Sequence, residues 1–139
     1  MYVLSNDIKQ KSKDYVSSLL ANGNNLLVEF YYIVDPEDPN DYKDRKSDLP
    51  DNTSSDITKR TLDIAVNSYN DNGTDLNEIN INIDVTNNNA TSTNYNFISI
   101  LVDNYDTAYS SKHIIMQGPV PEKTLAVSGT DSLDINIKF

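Results

Sequence analysis

Residues 79–85 read Ile-Asn-Ile-Asn-Ile-Asp-Val, a segment in which apolar and polar residues alternate without interruption. A period of two places the four aliphatic side chains on one face of a β-strand and the asparagines and aspartate on the opposite face. Segments 61–67 (Thr-Leu-Asp-Ile-Ala-Val-Asn) and 133–139 (Leu-Asp-Ile-Asn-Ile-Lys-Phe) follow the same pattern. Strands that are apolar on one face and solvated on the other are typical of antiparallel sheets. The sequence therefore predicts an antiparallel sheet with one wet face.

The N-terminal segment has the pattern of an amphipathic helix. Ser5 is a favourable N-cap, and Asn22-Gly23 supplies a left-handed stop. Apolar side chains recur near one face of a 3.6-residue period, at Ile8, Tyr15, Val16, Leu19 and Leu20. We therefore predict one helix at about residues 5–21, packed on the sheet through this face.

The rest of the chain consists of strand-length apolar runs separated by turn-forming residues. The most apolar run is the predicted central strand, and the polar, proline-containing stretch 35–56 is predicted to be a long acidic surface loop. Gly118-Pro119 is predicted to end the fifth strand, with a loop or short helical turn over 119–131. The predicted strands are 26–34, 58–68, 79–85, 95–102, 113–117 and 133–139. This order predicts a single α+β domain over 1–139, in which the amphipathic helix packs on a mainly antiparallel sheet or sandwich of about six strands.

Composition excludes several classes of function. With 21 acidic and 11 basic residues the net charge is -10, so the chain lacks the positive surface that displaces counterions from nucleic acid. There is no cysteine, which excludes a disulfide framework and a thiolate metal site. No apolar run reaches the roughly 18 residues that span a bilayer, and the N-terminus lacks the pattern of a signal peptide. We therefore expect a protein made in the cytoplasm that binds neither nucleic acid nor membrane.

Catalytic signatures are lacking in the sequence. The only histidine, His113, would need an activated nucleophile and an orienting carboxylate, and nothing marks the nearby Ser110 or Ser111 as activated. A Ser-His-Asp triad therefore has no support, and we interpret His113 as structural or solvated. The chain is predicted not to be an enzyme, with no catalytic residues and no cofactor.

Two acidic stretches have some features of calcium sites. Residues 71–78 (Asp-Asn-Gly-Thr-Asp-Leu-Asn-Glu) carry oxygen side chains on alternate positions, but the glycine is at the third position and the glutamate of an EF-hand loop is missing. The aspartates and glutamate of 35–41 form a looser group, which the prolines restrict. We interpret both as solvated loops and predict no metal site.

Loop tyrosines are the candidates for binding. Of nine tyrosines, four lie in or beside predicted loops, where a tyrosine can stack on a sugar or anchor a protein interface: Tyr42, Tyr69, Tyr105 and Tyr109. Half-buried packing is the alternative interpretation for each of them. If Tyr42, Tyr105 and Tyr109 bind sugars together with neighbouring Asn and Asp residues, the protein is a cell-surface or secreted carbohydrate-binding or adhesin β-domain.

The order of elements resembles that of a known family. A helix leads into an apolar strand and a long polar loop, alternating strands follow, and then comes an aliphatic strand with its turn at 97–104 (Phe-Ile-Ser-Ile-Leu-Val-Asp-Asn). After them come 118–124 (Gly-Pro-Val-Pro-Glu-Lys-Thr) and the closing Leu-x-Ile-x-Ile-x-Phe strand. This arrangement resembles the baseplate-attachment domain at the N-terminus of bacteriophage tail-collar and tail-fibre proteins. The chain departs from that pattern at residues 34–36, where Val-Asp-Pro replaces a glycine pair, and at residues 97–101, where the Glu-Ile-Gly-Leu-type strand motif is absent. The resemblance implies a non-enzymatic virion component that docks through a sheet edge or its helix, with no catalytic residues to carry over.

The predicted function is therefore structural. We expect a component of a phage tail or baseplate, located in the virion, that mediates subunit assembly or fibre attachment. Its partners would be other virion proteins and further copies of itself. Since the last strand runs to Phe139, its edge is expected to need a covering partner, so the isolated protein should oligomerise or be ordered only in an assembly. The predicted interface residues are Tyr42, Tyr105, Tyr109, Leu133, Ile135, Ile137 and Phe139.

Overall fold

The computed structural model describes residues 2–34, 57–71, 78–103 and 113–139, which hold one helix and seven strands. These are α1 (Asn6–Leu20), β1 (Leu26–Ile33), β2 (Ile57–Arg60), β3 (Asp63–Asn70), β4 (Glu78–Thr86), β5 (Thr93–Val102), β6 (His113–Leu125) and β7 (Thr130–Lys138). Sheet A has the strand order β2-β1-β5-β6, sheet B has the order β3-β4-β7, and all neighbours are antiparallel. The predicted α+β fold, with a helix on antiparallel sheets, is confirmed.

The helix begins and ends at the predicted signals. The Ser5 hydroxyl accepts a hydrogen bond from the amide of Ile8 at 3.3 Å, which satisfies one of the free N–H groups of the first turn. Three consecutive residues after Leu20 have positive φ angles, ending at Gly23 with φ 91°. A side chain at Gly23 would be strained by this angle and would lie 3.3 Å from Val66. The left-handed stop therefore turns the chain directly into β1.

Only part of the predicted apolar face of α1 is buried. Leu20 is fully buried, and Val16 and Leu19 pack against the main core. Ile8 and Tyr15 remain exposed, at 46% and 56% of their surface. The helix thus packs through its C-terminal turns, and the prediction that all five side chains face the sheet is wrong for these two.

The main core lies between the two sheets, and β4 supplies its centre. Ile79, Ile81, Ile83 and Val85 are at most 1% exposed, whereas the alternate polar residues of β4 are only half-buried. The prediction for the two faces of residues 79–85 is therefore confirmed. From sheet A, Phe30 and Tyr95 enter this core with their rings in edge contact, at a centroid distance of 5.0 Å. A second buried cluster, on the other face of sheet A, consists of Tyr31, Ile33, Ile57 and Phe97.

The predicted single strand 58–68 is wrong, because the chain passes from sheet A to sheet B inside it. β2 pairs with β1, with Ile57 opposite Ile33, while β3 pairs with β4, with Ile64 opposite Val85. Ile57 lies in the second cluster, but Leu62 and Ile64 pack against the main core. Because side chains alternate along a strand, a single continuous strand would direct Ile57 to one face and Leu62 and Ile64 to the other. Two strands joined at residues 61–62 allow both clusters to form.

The predicted end of a strand at residue 117 is also wrong, since β6 continues to Leu125. β6 is one of the two edge strands of sheet A, and an edge strand tolerates a proline where the missing N–H group would face away from the sheet. Pro119 lies opposite Phe97, and a register shift follows between that pair and Tyr95–Lys123. The predicted loop over 119–131 is thus limited to the turn between β6 and β7.

Two predictions, the acidic loop and the lack of a membrane span, can be compared with only part of the chain or with none of it. The predicted acidic loop 35–56 lies outside the described residues. Within the described ranges, no helix has the length and apolar character needed to cross a membrane.

Candidate functional site

β7 forms one edge of sheet B and is its most regular strand. Nine consecutive residue pairs join it to β4, from Glu78–Lys138 to Thr86–Thr130, with no shift in register. Among the described residues it pairs with no strand on its other side. The opposite edge strand, β3, carries a bulge between Val66 and Ser68. A bulge protects an edge from pairing with another chain, and a long regular strand does not. Within the described part of the chain, the outer edge of β7 is therefore the surface of this sheet that is open to a further strand.

The predicted interface residues of β7 lie in the core. Ile135 and Ile137 are 3% and 4% exposed, and Leu133 and Phe139 are half-buried against the same cluster. Their side chains are therefore packed inside the protein, which leaves the outer backbone edge and the polar side chains of β7 for any contact with a neighbour. The tyrosines predicted for the interface, Tyr42, Tyr105 and Tyr109, lie outside the described residues.

The outer face of sheet B, here called the polar face, is a network of side-chain hydrogen bonds. Asn82 on β4 is its centre, because its amide nitrogen donates to Asp134 (2.6 Å) and Ser132 (3.0 Å) on β7. Its amide oxygen accepts from Asn67 (2.9 Å), which also donates to Asp84 (2.7 Å). Asn67 is the extra residue of the β3 bulge, so the bulge directs its side chain to the network. These contacts hold side chains of all three strands in one arrangement.

The polar face is acidic. Asp63, Glu78, Asp84 and Asp134 occupy it, and Lys138 is the basic residue at one end. At the other end Thr86 and Thr130 share a hydrogen bond of 3.0 Å, and Asn88 donates to Asp63. A partner with basic or amide side chains would therefore complement this surface better than an acidic one.

A hydrogen-bond network attaches α1 to the end of β3. The Ser17 hydroxyl donates to Asp71 at 2.6 Å and lies 2.8 Å from the Tyr69 hydroxyl. Lys13, 2% exposed, donates from its ammonium group to the Asp71 carbonyl at 3.0 Å. Burial raises the pKa of Tyr69, the hydrogen bond with Ser17 lowers it, and the Asp71 charge raises it, so the net pKa lies above 10.0. The neutral phenol is therefore the form that holds the helix.

This raised pKa predicts a loss of stability in alkaline solution. Unfolded tyrosine ionises near pH 10 and folded Tyr69 at higher pH, so the free energy of unfolding should be constant below pH 10 and fall as the pH rises above it. Tyr69→Phe should weaken this fall and cost about 0.5–1.5 kcal/mol at pH 8 through the lost contact with Ser17. Urea unfolding between pH 8 and 11 measures both effects. Tyr95→Phe is the matched control, because burial also raises the pKa of Tyr95 but among the described residues its hydroxyl makes no hydrogen bond to α1, so this variant should weaken the fall without the loss through Ser17. Identical pH curves for Tyr69→Phe and the unmodified protein would contradict the prediction.

A buried charged group joins β1 to β2 in sheet A. The Tyr31 hydroxyl donates to Oε2 of Glu29 at 2.6 Å, and the Lys59 ammonium group lies 3.0 Å from the same oxygen. Across the sheet Ser99 lies opposite Glu29, and its hydroxyl donates to Gln117 at 3.3 Å. This arrangement explains why a glutamate occurs in the most apolar strand, because Glu29 holds the edge strand β2 against β1 through its ion pair with Lys59.

The candidate catalytic and metal residues are only partly described. His113 is half-buried at the start of β6, opposite Val102, while Ser110 and Ser111 lie outside the described residues. Of the loop 71–78, only Asp71 and Glu78 are described, and the acidic group at 35–41 is outside them too. In the described ranges, no three His, Cys, Asp or Glu side chains are grouped so that they could hold a metal ion. The absence of an enzymatic function thus stays a prediction.

A polar pocket of about 310 Å³ opens where the two sheets separate. It lies between the end of β2 and the β4–β5 connection, and its lining includes Arg60, Thr61, Asn89, Thr91, Ser92 and Thr93. The sequence analysis did not single out Arg60. The only sequence signal for the pocket is the run Asn-Asn-Asn at 87–89, which indicates a turn rather than a binding residue.

Asn87 orders the β4–β5 connection, whose residues line this pocket. It is fully buried, and its amide nitrogen donates to the carbonyl oxygens of Thr91 and Leu125, both at 3.0 Å, and of Ala126 at 3.3 Å. Its amide oxygen accepts from the Asn89 backbone at 2.9 Å. Asn87 therefore ties the β4–β5 connection to the end of β6.

No family model matches the chain, and neither a curated protein nor a solved structure is significantly similar to it. The resemblance to the phage tail domain therefore stays a prediction from the order of elements.

Proposed function

We propose that this protein is a structural virion component of a bacteriophage tail or baseplate, in which copies join each other and neighbouring virion proteins through β7. The observation that carries the proposal is the nine-residue, regularly paired edge strand with no pairing partner on its outer side in the described part of the chain. The assignment to phage particles rests on the resemblance in element order, and the assembly role rests on the edge.

Strand addition explains how such an edge would act. Each second residue of an edge strand directs its N–H and C=O groups away from its own sheet, and a strand of a neighbour can bond to them. The core side chains of β7 are already packed, so a neighbour would gain backbone hydrogen bonds without rearranging the core. The side chains of Ser132, Asp134 and Asn136 on the polar face would then select the partner.

Exposed apolar side chains near the N-terminus offer a second contact surface. Single exposed apolar side chains are common on protein surfaces, but here five large ones occur in one region. They are between 46% and 103% exposed: Tyr2, Val3, Leu4, Ile8 and Tyr15. In an assembly these side chains would be covered by a neighbour, in agreement with docking through the helix.

Adding acidic residues to β7 tests the proposal. Ser132→Asp with Asn136→Asp would place three aspartates along the polar side of the edge, and like charges on paired strands repel. The unmodified protein should self-associate in light scattering as its concentration rises, and this variant should be monomeric at concentrations at least about tenfold higher. Amide exchange gives a second measure, because every second β7 amide should exchange rapidly in the monomer and slowly in the assembly.

The chain contains a matched control for these substitutions. Ala65 and Asn70 on β3 lie opposite Asp84 and Asn80 of β4, the same two residues that Ser132 and Asn136 face from the other side. Ala65→Asp with Asn70→Asp should cost similar stability and leave self-association unchanged. A monomeric unmodified protein with alternate β7 amides in fast exchange would overturn the assembly role. Neighbouring genes without baseplate or fibre functions would argue against the phage assignment.

A further inference from the structure

We propose that the pocket at Arg60 binds a carboxylate carried on a hydroxyl-rich ligand, the chemistry of a sugar acid. The site is separate from β7 and does not depend on the assembly role. Its volume of about 310 Å³ is at the lower end of the range for small-molecule sites, which suits a ligand of one sugar ring.

Arg60 is held in a fixed position from two sides. Its Nε donates to the carbonyl oxygen of Asn94 at 3.1 Å and its Nη2 to the side-chain oxygen of the same residue at 2.9 Å. The guanidinium carbon lies 5.9 Å from the centre of the Tyr32 ring. An arginine that is already ordered loses little conformational entropy when it binds a ligand.

The terminal edge of this guanidinium is available. A guanidinium has five N–H donors, and the two bonds to Asn94 leave both hydrogens of Nη1 and one of Nη2 without a partner among the described residues. These donors form the planar fork that binds the two oxygens of a carboxylate. No carboxylate of the described chain pairs with Arg60, although acidic residues outnumber basic ones in the whole sequence.

The rest of the pocket favours an uncharged, hydroxylated ligand body. None of the described lining residues is acidic, and the exposed hydroxyls of Thr61, Thr91 and Ser92 can each donate or accept. Asn89 is ordered by donating to the Thr61 carbonyl (2.8 Å) and to the Thr93 hydroxyl (3.2 Å). Such a rim matches the alternating donors and acceptors of a sugar.

Charge favours a carboxylate over a phosphate monoester or inorganic sulfate, which carry about two negative charges at neutral pH. Lys59 also lines the pocket, but its ammonium group is in the ion pair with Glu29, so among the described residues of the lining Arg60 is the cation that remains for a ligand. One fixed cation balances a single negative charge, and the protein's net charge of -10 repels a ligand group with two negative charges more strongly than a group with one.

Titration of the full chain with sodium glucuronate tests the site. Amide NMR shifts of Thr91 and Ser92 should saturate at millimolar glucuronate, while glucose, which lacks the carboxylate, and acetate, which lacks the hydroxyls, should each bind at least about tenfold more weakly. Arg60→Gln should weaken glucuronate binding at least about tenfold, and Arg60→Lys, which keeps the charge without the fork, should do nearly the same. Lys11→Gln on the helix surface removes the same charge and should have no effect.

Thr91→Val with Ser92→Ala provides a second route if Arg60 variants do not fold. Both side chains are exposed, so the fold should persist, and glucuronate affinity should fall about threefold to tenfold. Absence of saturable shifts, equal binding by Arg60→Gln, or equal competition by inorganic phosphate or sulfate would each overturn the proposal.

Discussion

Ile81→Ala is expected to lower the free energy of unfolding by about 2–5 kcal/mol. Ile81 is 1% exposed at the centre of sheet B, opposite Tyr69 on one side and Ile135 on the other. Removing three side-chain carbon atoms there loses the free energy gained by burying them. It also leaves a cavity that β3 and β7 cannot fill, because backbone hydrogen bonds to β4 hold both strands in place. Urea unfolding followed by circular dichroism at neutral pH measures the change.

Asn80→Ala is the matched control for this prediction. Asn80 is the preceding residue on the same strand, but its side chain lies on the polar face. The substitution should change stability by no more than about 0.5 kcal/mol. If both alanine variants lost the same stability, the two-faced character of β4 would be refuted.

Asn87→Asp is expected to cost about 3–5 kcal/mol, although the side chain keeps its shape. The Asn87 amide nitrogen faces three carbonyl oxygens, and an ionised carboxylate in its place can donate to none of them. The site would hold a buried charge next to unsatisfied acceptors. Burial beside carbonyl oxygens would raise the pKa of this carboxyl above its unfolded value, so part of the lost stability should return as the pH falls from 7 to 4, where the carboxyl is protonated and can donate again.

The control for this variant is Asn24→Asp, the same chemical change at an exposed turn position. It should alter stability by about 0.5 kcal/mol or less at all pH values. Thermal unfolding of both variants at pH 7 and pH 4 separates burial from the change of residue type. A tolerated Asn87→Asp with no pH dependence would show that the asparagine does not hold the loop.

Local signals made much of this fold predictable. The cap at Ser5, the left-handed stop at residues 21–23 and the alternation in β4 act over neighbouring residues, so their physics is contained in the sequence. The passage from β2 to β3 was not predictable in the same way. Residues 58–61 are all polar and do not mark where one strand ends, so only pairing with β1 and β4 shows that the two halves belong to different sheets.

The candidate site depended even more on tertiary structure. Leu133, Ile135 and Ile137 have the same pattern whether they face a partner or the core, and the packing of sheet B decides between the two. Arg60 is an ordinary residue at the end of a short strand until Asn94 and Tyr32 approach it. Such residues carry no local signature, because their role comes from neighbours 28 to 34 positions away.

The polar face also decides how β4 and β7 align. On the apolar side isoleucine meets isoleucine at two successive pairs, so sliding β7 by two residues would still bury aliphatic side chains against each other. The polar side is not repetitive, since threonine faces threonine at one end, glutamate faces lysine at the other, and Asn82 binds an aspartate and a serine between them. A slipped strand would lose these matched contacts while keeping its hydrophobic ones. Burial therefore supplies the energy of the sheet, and the solvated side chains distinguish the one correct alignment from its near copies.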